Sequence, residues 1–163
     1  EYGIALIRYD AVAQKSMAAV KYKNRREYLD FYAEAIARRY GYFFERHKEA
    51  VLVPVPVHPA RLRSRGFNQA GELAVRLGRL TGLSVNEALL VRTRKTAPQK
   101  DLSPDERLRN LRHAFAVTAE VPPTVILTDD IYTTGSTIEA CTRVLKAAGA
   151  CQVYFVSICI GGS

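Results

Sequence analysis

Two adjacent carboxylates, Asp129 and Asp130, end the apolar run Val125-Ile126-Leu127-Thr128, and a hydroxyl-rich turn, Thr133-Thr134-Gly135-Ser136-Thr137, follows within three residues. The apolar spacing beyond that turn predicts a helix over 138–148, closed by Gly149. Backbone amides at a helix N-terminus, at the positive end of its dipole, form a ready site for phosphate. Thr133, Thr134, Ser136 and Thr137 add hydroxyl donors, and Gly135 lets the backbone approach closely. Two carboxylates just before such a cradle accept hydrogen bonds from vicinal hydroxyls, or bind Mg²⁺. A ligand with a phosphate at one end and a diol several ångströms away satisfies both halves, and a ribose 5-phosphate is one. A plain turn with an acidic helix cap needs neither two carboxylates nor this density of hydroxyls around a glycine. The segment lacks the lysine of GxxxxGK[ST] and is not a GxGxxG fingerprint.

Two groups of cations accompany this motif. Arg61, Arg63 and Arg65 follow a β-branched strand, Val51–Val57, that Pro54 and Pro56 stiffen into a loop. Arginines there would neutralise a phosphate or diphosphate; a solvated basic turn is the plainer alternative. The second group, Arg92, Arg94, Lys95, Lys100, Arg107, Arg109 and Arg112, is opposed only by Asp101, Asp105 and Glu106. Ser103-Pro104-Asp105-Glu106 combines an N-cap serine, a first-turn proline and a capping-box glutamate, predicting a helix over 104–112 with Arg109 and Arg112 on one face. Such a segment serves as an electrostatic track for single-stranded nucleic acid, or as no more than a solvated surface.

The elements that must position these residues alternate. Strands are expected over 3–9, 51–57, 85–91, 125–128 and 152–160, and helices over 11–22, 26–42 and 67–80 besides those at 104–112 and 138–148. Strand and helix in this rhythm indicate an α/β domain with a mainly parallel, twisted sheet flanked by helices. The length, 163 residues, fits a single domain over 1–163, with an N-terminal strand and helices over 1–50 and a ligand-binding core over 51–163.

Hydrophobic residues at 48% and charged residues at 25% exclude a disordered chain. No stretch approaches the roughly 18 apolar residues of a spanning helix, so membrane insertion is not expected. Glu1, Arg8 and Asp10 interrupt any secretory h-region, and the first residue is not methionine, so the natural N-terminus is expected to lie elsewhere. The net charge of +8, with a sequence pI near 9.6, favours polyanionic partners. Cys141, Cys151 and Cys159 form no CxxC. The last two fall at opposite ends of one expected strand, roughly 26 Å apart at about 3.3 Å per residue, too far for a disulfide. Unpaired thiols point to a reducing, cytoplasmic setting.

Three stretches carry a resemblance: VPVPVHPARLRSRGFNQA (53–70), RTRKTAPQKDLSPDERLRNLRHAF (92–115) and ILTDDIYTTGST (126–137). In residues, order and spacing they resemble the ComF family of competence proteins within the type I phosphoribosyltransferases, and a weaker likeness around Lys21-Tyr22 extends it over nearly the whole chain. The resemblance implies the type I phosphoribosyltransferase fold with a mobile hood, and binding of 5-phosphoribosyl 1-diphosphate (PRPP). By the same resemblance Asp129 and Asp130 hold the ribose hydroxyls and serve as catalytic and Mg²⁺-binding residues, and Thr133, Thr134, Gly135, Ser136 and Thr137 wrap the 5-phosphate. Arg61, Arg63 and Arg65 take the diphosphate, while the segment bearing Arg107, Arg109 and Arg112 is a hood over PRPP or a track for single-stranded DNA. Two activities are compatible with it: Mg²⁺-dependent phosphoribosyl transfer with release of diphosphate, or a PRPP-sensing or DNA-handling module, partnered by competence-machinery proteins during DNA uptake. Two departures are visible. The four-cysteine zinc ribbon usual at the family's N-terminus is absent from 1–163, which leaves the phosphoribosyltransferase domain. Thr133 stands where several purine phosphoribosyltransferases carry a third carboxylate, which argues against purine salvage and leaves no general base in the loop.

Overall fold

The computed structural model describes residues 2–93 and 114–161. Its centre is a five-stranded, wholly parallel sheet in the order β1-β7-β6-β2-β3, built from β1 (Gly3–Arg8), β2 (Val51–Pro54), β3 (Ser84–Val85), β6 (Thr124–Tyr132) and β7 (Gln152–Ile160). A short antiparallel pair, β4 (Leu90–Arg92) and β5 (Phe115–Val117), stands apart from it. The helices are α1 (Ala11–Lys23), α2 (Glu27–Arg39), α3 (Gly41–Arg46), α4 (Pro59–Arg65), α5 (Gln69–Thr81) and α6 (Ser136–Ala147). The expected mainly parallel sheet flanked by helices is what forms.

Both faces of the sheet are covered, as a parallel sheet requires. On one face Met17 of α1, Leu29 and Ile36 of α2, Phe44 of α3 and Leu73 and Leu77 of α5 bury against Leu52, Ile126 and Val156. On the other, Ile138, Cys141 and Leu145 of α6 and the hairpin residues Leu90 and Phe115 bury against Val53, Val125, Leu127 and Val153. Successive residues of a strand face opposite ways. Ile126 therefore serves one core and Val125 and Leu127 the other, and this alternation decides below where each carboxylate points. Close approach of α5 to the sheet depends on Gly78, where a Cβ would lie 2.5 Å from Val85 Cγ2.

Several local expectations change. The helix expected over 26–42 is two, α2 and α3, because Tyr40 leaves helical geometry at φ −117°, ψ 25°. The strand expected over 85–91 splits into β3, in the main sheet, and β4, in the hairpin. The strand β5 was not foreseen. The basic segment after Val57, read as a loop, is a short helix, α4, capped by the His58 side chain, which accepts from the Ala60 amide, and ended by Gly66 at φ 84°. The strand expected over 125–128 runs on to Tyr132, so the carboxylate pair sits on β6 and not in the turn after it. The helix expected over 104–112 lies outside the described residues. Among the described residues no helix is long and apolar enough to cross a membrane.

Candidate functional site

Chain direction places a crevice before any side chain is considered. From β2 the chain moves outward through α5 to β3; after the hairpin it returns across β2 to β6 and then winds the other way through α6 to β7. The reversal lies between β2 and β6, which pair from Val51↔Val125 to Pro54↔Thr128. In an open α/β sheet the crevice at the carboxyl ends of the strands flanking such a reversal is where ligands bind. Two anchors hold its floor. The Val55 amide donates to the Thr128 carbonyl at 2.9 Å, and the buried Thr128 hydroxyl donates to the Ala70 carbonyl at 2.9 Å, tying β6 to α5.

The cleft has a volume of about 540 Å³, and Arg61 and Arg65 of α4, Arg92 of β4, Lys21 of α1, the two carboxylates and Thr137 meet in its walls. Asp129 and Asp130, one residue apart on β6, project to opposite faces. Asp130 takes the α1–α5 side, where its carboxylate is ion-paired with the Lys21 ammonium. Asp129 takes the α6 side, and its Oδ1 accepts from the Asp130 amide at 2.9 Å. Their electrostatics diverge accordingly. Burial would raise the Asp130 carboxyl, but the Lys21 charge, Gln69 and Asp129 outweigh it and hold it below the ordinary carboxylate value. For Asp129, burial first, then the Asp130 charge, outweighs the attraction of Lys21 and Arg92 and holds the carboxyl well above that value.

Beyond β6, Gly135 sits at φ 78° as the N-cap of α6, and no side chain caps that helix. A Cβ at Gly135 would lie 2.5 Å from the Tyr132 hydroxyl, so the turn needs glycine for its dihedral and for its space. Thr134 and Ser136 hydroxyls bond each other at 3.0 Å, Ser136 is buried, and Thr133 is exposed. Asp129 borders this small cradle as well as the larger cleft, so it joins the two.

Of the α4 arginines, Arg61 and Arg65 reach the cleft and Arg63 does not. Residues four apart share a helix face, and the residue between them points away. Arg65 Nη1 donates to Gln69 Oε1 at 2.7 Å and its guanidinium lies 5.6 Å from the Tyr22 ring centre. Burial, then repulsion from Arg61, lowers the basicity of Arg92 more than the nearby Asp129 raises it, so two guanidiniums press on each other at one end of the cleft. That is an arrangement an anion relieves. Arg107, Arg109 and Arg112 lie outside the described residues.

Sequence reasoning passed over Lys21, Gln69 and Arg92 as site residues. Lys21 carried a signal: it stands four residues after buried Met17, a cation on the apolar side of an amphipathic helix. Arg92 shares its strand face with buried Leu90, which the period of two made legible once β4 is recognised as a strand. No group of three or more His, Cys, Asp or Glu side chains that could hold a metal occurs among the described residues. Mg²⁺ does not need one, since it is commonly held by one or two carboxylates together with phosphate oxygens and water. Asp129, a half-buried carboxylate that borders both the cradle and the cleft, fits that use.

The chain is 36% identical over 109 residues to the DNA utilization protein YhgH of Escherichia coli (strain K12), which spans 66% of this chain and 48% of that protein. It is 33% identical over 106 residues to competence protein F of Haemophilus influenzae (63% and 46%) and 33% over 115 residues to competence protein ComFC of Streptococcus pneumoniae (70% and 50%). The match spans about half the length of these curated relatives. No family model matches. Among solved structures, the fold aligns with a phosphoribosylpyrophosphate synthetase from Mycobacterium smegmatis at TM-score 0.49 and 22% identity, covering 78% of this chain and 33% of that one. It also aligns with a hypoxanthine phosphoribosyltransferase from Staphylococcus aureus at TM-score 0.48 and 12% identity, covering 81% and 62%.

Proposed function

We propose that this chain, which belongs to the ComF family of competence and DNA-utilization proteins, binds PRPP with Mg²⁺ in the cleft between β2 and β6. One observation carries the reading: an acidic pair at the end of β6 stands between an uncapped helix N-terminus and a wall of arginines. A ligand with phosphate at one end, a diol at the centre and diphosphate at the other matches these three in order. Thr133, Thr134, Gly135, Ser136 and Thr137 would receive the 5-phosphate, Asp129 and Asp130 the ribose hydroxyls, and Arg61 and Arg65, joined by Arg92, the diphosphate.

Bound Mg²⁺ would be held by Asp129 and phosphate oxygens, and would supply charge neutralisation on the diphosphate. The protein's own part in a transfer is to fix the anomeric carbon over the carboxylates and to face the departing diphosphate with preorganised arginines. No base stands in the loop to activate an acceptor, because position 133 is threonine. Calorimetric titration with PRPP and Mg²⁺ tests the site. Binding should be saturable in the parent and lost in Asp129→Ala/Asp130→Ala. Unchanged affinity in a folded double variant would overturn the assignment.

A second reading, handling of single-stranded DNA, is favoured by the names of the relatives and by the net charge of +8. The contacts would come from the segment bearing Arg107, Arg109 and Arg112. Each phosphate contact should contribute about −0.7 to the slope of log affinity against log salt. Alanine at those three positions should flatten it; a slope that the triple variant leaves untouched would remove that segment from the interface.

A further inference from the structure

Lys21 belongs to neither arginine group nor to the loop after β6, yet its ammonium touches the acidic pair directly, through Asp130. The contact is an interior one: the side chains are 19% and 12% exposed. Its surroundings are fully specified. Asp129 lies beyond Asp130, buried Gln69 of α5 lines the same cleft, and Arg65 donates to Gln69 while resting on the Tyr22 ring. The lysine stem is held just as firmly, because buried Met17 and Val20 seat α1 against the sheet and Asp10 caps its first turn.

Charge counting in this enclosure is informative. Two adjacent carboxylates out of bulk water repel each other, and nearby cations offset that repulsion. Lys21 provides one, committed to Asp130. Arg65 faces Gln69 and not either carboxylate. Arg92 acts on Asp129 from the cleft wall, whereas Lys21 is committed to Asp130, so the two carboxylates are served from different sides. A lysine suits the Asp130 position in a way arginine would not, being a compact point charge whose three donors fit beside a carboxylate in the space of a small ion.

We propose that Lys21 is a tethered cation taking the place of a divalent ion at Asp130, so that PRPP is bound with a single Mg²⁺, at Asp129. The inference rests on the PRPP reading given above and adds to it a stoichiometry and a positioning residue. Lys21 acts through Asp130. Its ammonium holds that carboxylate toward α1, which leaves Asp129 as the carboxylate open to a metal shared with the ligand. A lysine that merely pinned α1 to β6 would stabilise the fold without altering the metal requirement, and the experiment separates the two.

PRPP binding is measured by calorimetry over a series of Mg²⁺ concentrations, and the number of Mg²⁺ ions taken up per PRPP bound is read from the dependence of affinity on free Mg²⁺. The proteins are the parent, Lys21→Met, Lys21→Gln and Lys21→Met/Asp130→Asn. One ion is expected for the parent. Two are expected for Lys21→Met, with affinity about ten- to a hundredfold lower at low Mg²⁺ and recovering as Mg²⁺ rises. The double variant, with neither charge, should return to one ion. Lys21→Gln keeps a donor beside Asp130 without the charge, so it answers the question even where Lys21→Met fails to fold; it too should take up two. One ion in folded Lys21→Gln or Lys21→Met, or a loss of affinity that Mg²⁺ does not recover, overturns the tethered-cation role and leaves PRPP binding standing. A parent that binds no PRPP overturns both, and that failure is seen in the parent before any variant is made.

Discussion

Asp129 and Asp130 are chemically identical and adjacent, yet the strand gives them opposite surroundings, and their stability effects should have opposite signs. Burial and the neighbouring charge raise the Asp129 carboxyl, so the folded chain holds that proton more tightly than the unfolded one. Its stabilising contribution is therefore full below the unfolded value, near 4, and is lost as pH rises through the raised folded value. Each pH unit between the two values is worth about 1.4 kcal/mol. Asp129→Asn, which cannot ionise, should melt higher than the parent at pH 7.5, and the advantage should shrink toward zero as pH falls below the ordinary carboxylate range. The Asp130 carboxyl is lowered, mainly because Lys21 overrides the effect of burial, so its contribution is present at neutral pH and fades in acid. Thermal melts of parent and Asp129→Asn across pH 4–8 check this. A variant less stable than the parent at pH 7.5 would mean that Asp129 has a compensating cation in the free protein. The stabilisation of a site variant is what a binding site predicts, since its carboxylate is placed for a ligand at the fold's expense.

At the scale of elements, α4 turns a run of alternating arginines into two faces. Arg61 lines the cleft and Arg63 points away, so the two should separate cleanly. Arg61→Ala should weaken PRPP by about tenfold, since a charge-assisted bond is worth roughly 1.5–3 kcal/mol less the share that water recovers at an exposed residue. It should leave ribose 5-phosphate, which has no diphosphate, nearly unaffected, and Arg63→Ala should leave both. Paired titrations decide it; equal losses for the two ligands would assign Arg61 a general field effect. This helix also marks the limit of what the sequence discloses. Amphipathic α5 and the β-branched strands were legible because their cores impose a period on the residues. α4 has no buried residue, so no apolar period announced it; only the His58-Pro59 start and Gly66 stop did. The 125–128 strand was read short for the converse reason. Polar Asp129 and Asp130 end the apolar run, whereas pairing with β7 carries the ladder on through Tyr132↔Ile160. The acidic pair, the cradle and Arg61 and Arg65 were visible as residue types in order. Lys21 showed only as a cation on the apolar side of α1; its partner did not show, because the pairing depends on α1 reaching the end of β6, a long-range contact that local pattern cannot supply.

The whole molecule is two cores sharing one sheet, and the cleft opens where the winding changes direction. Its walls come from separate parts of the chain: Lys21 from α1, Arg61 and Arg65 from α4, Arg92 from the hairpin, and Asp129 to Thr137 from β6 and α6. α1 and β4 pack on opposite faces of the sheet and α4 stands at the cleft rim, and a ligand spanning phosphate, diol and diphosphate would bridge all three. Such a ligand binds the folded chain and not the unfolded one, so it should raise stability by mass action. At a hundredfold excess over Kd the gain is about 2.7 kcal/mol. For a domain of this size that corresponds to a rise in Tm of roughly 5–11 °C, at about 2–4 °C per kcal/mol. PRPP with Mg²⁺ should reach this range. Ribose 5-phosphate, which touches the cradle and the carboxylates alone, should need a higher concentration for the same shift. Asp129→Ala/Asp130→Ala should show neither shift, although its unliganded melt remains cooperative at a lower midpoint, because both apolar cores are intact while Lys21 loses its partner. Differential scanning calorimetry on the three samples gives the answer. A ligand-induced rise of equal size in the double variant would place the ligand away from the end of β6, on a surface that does not require the switch-point cleft.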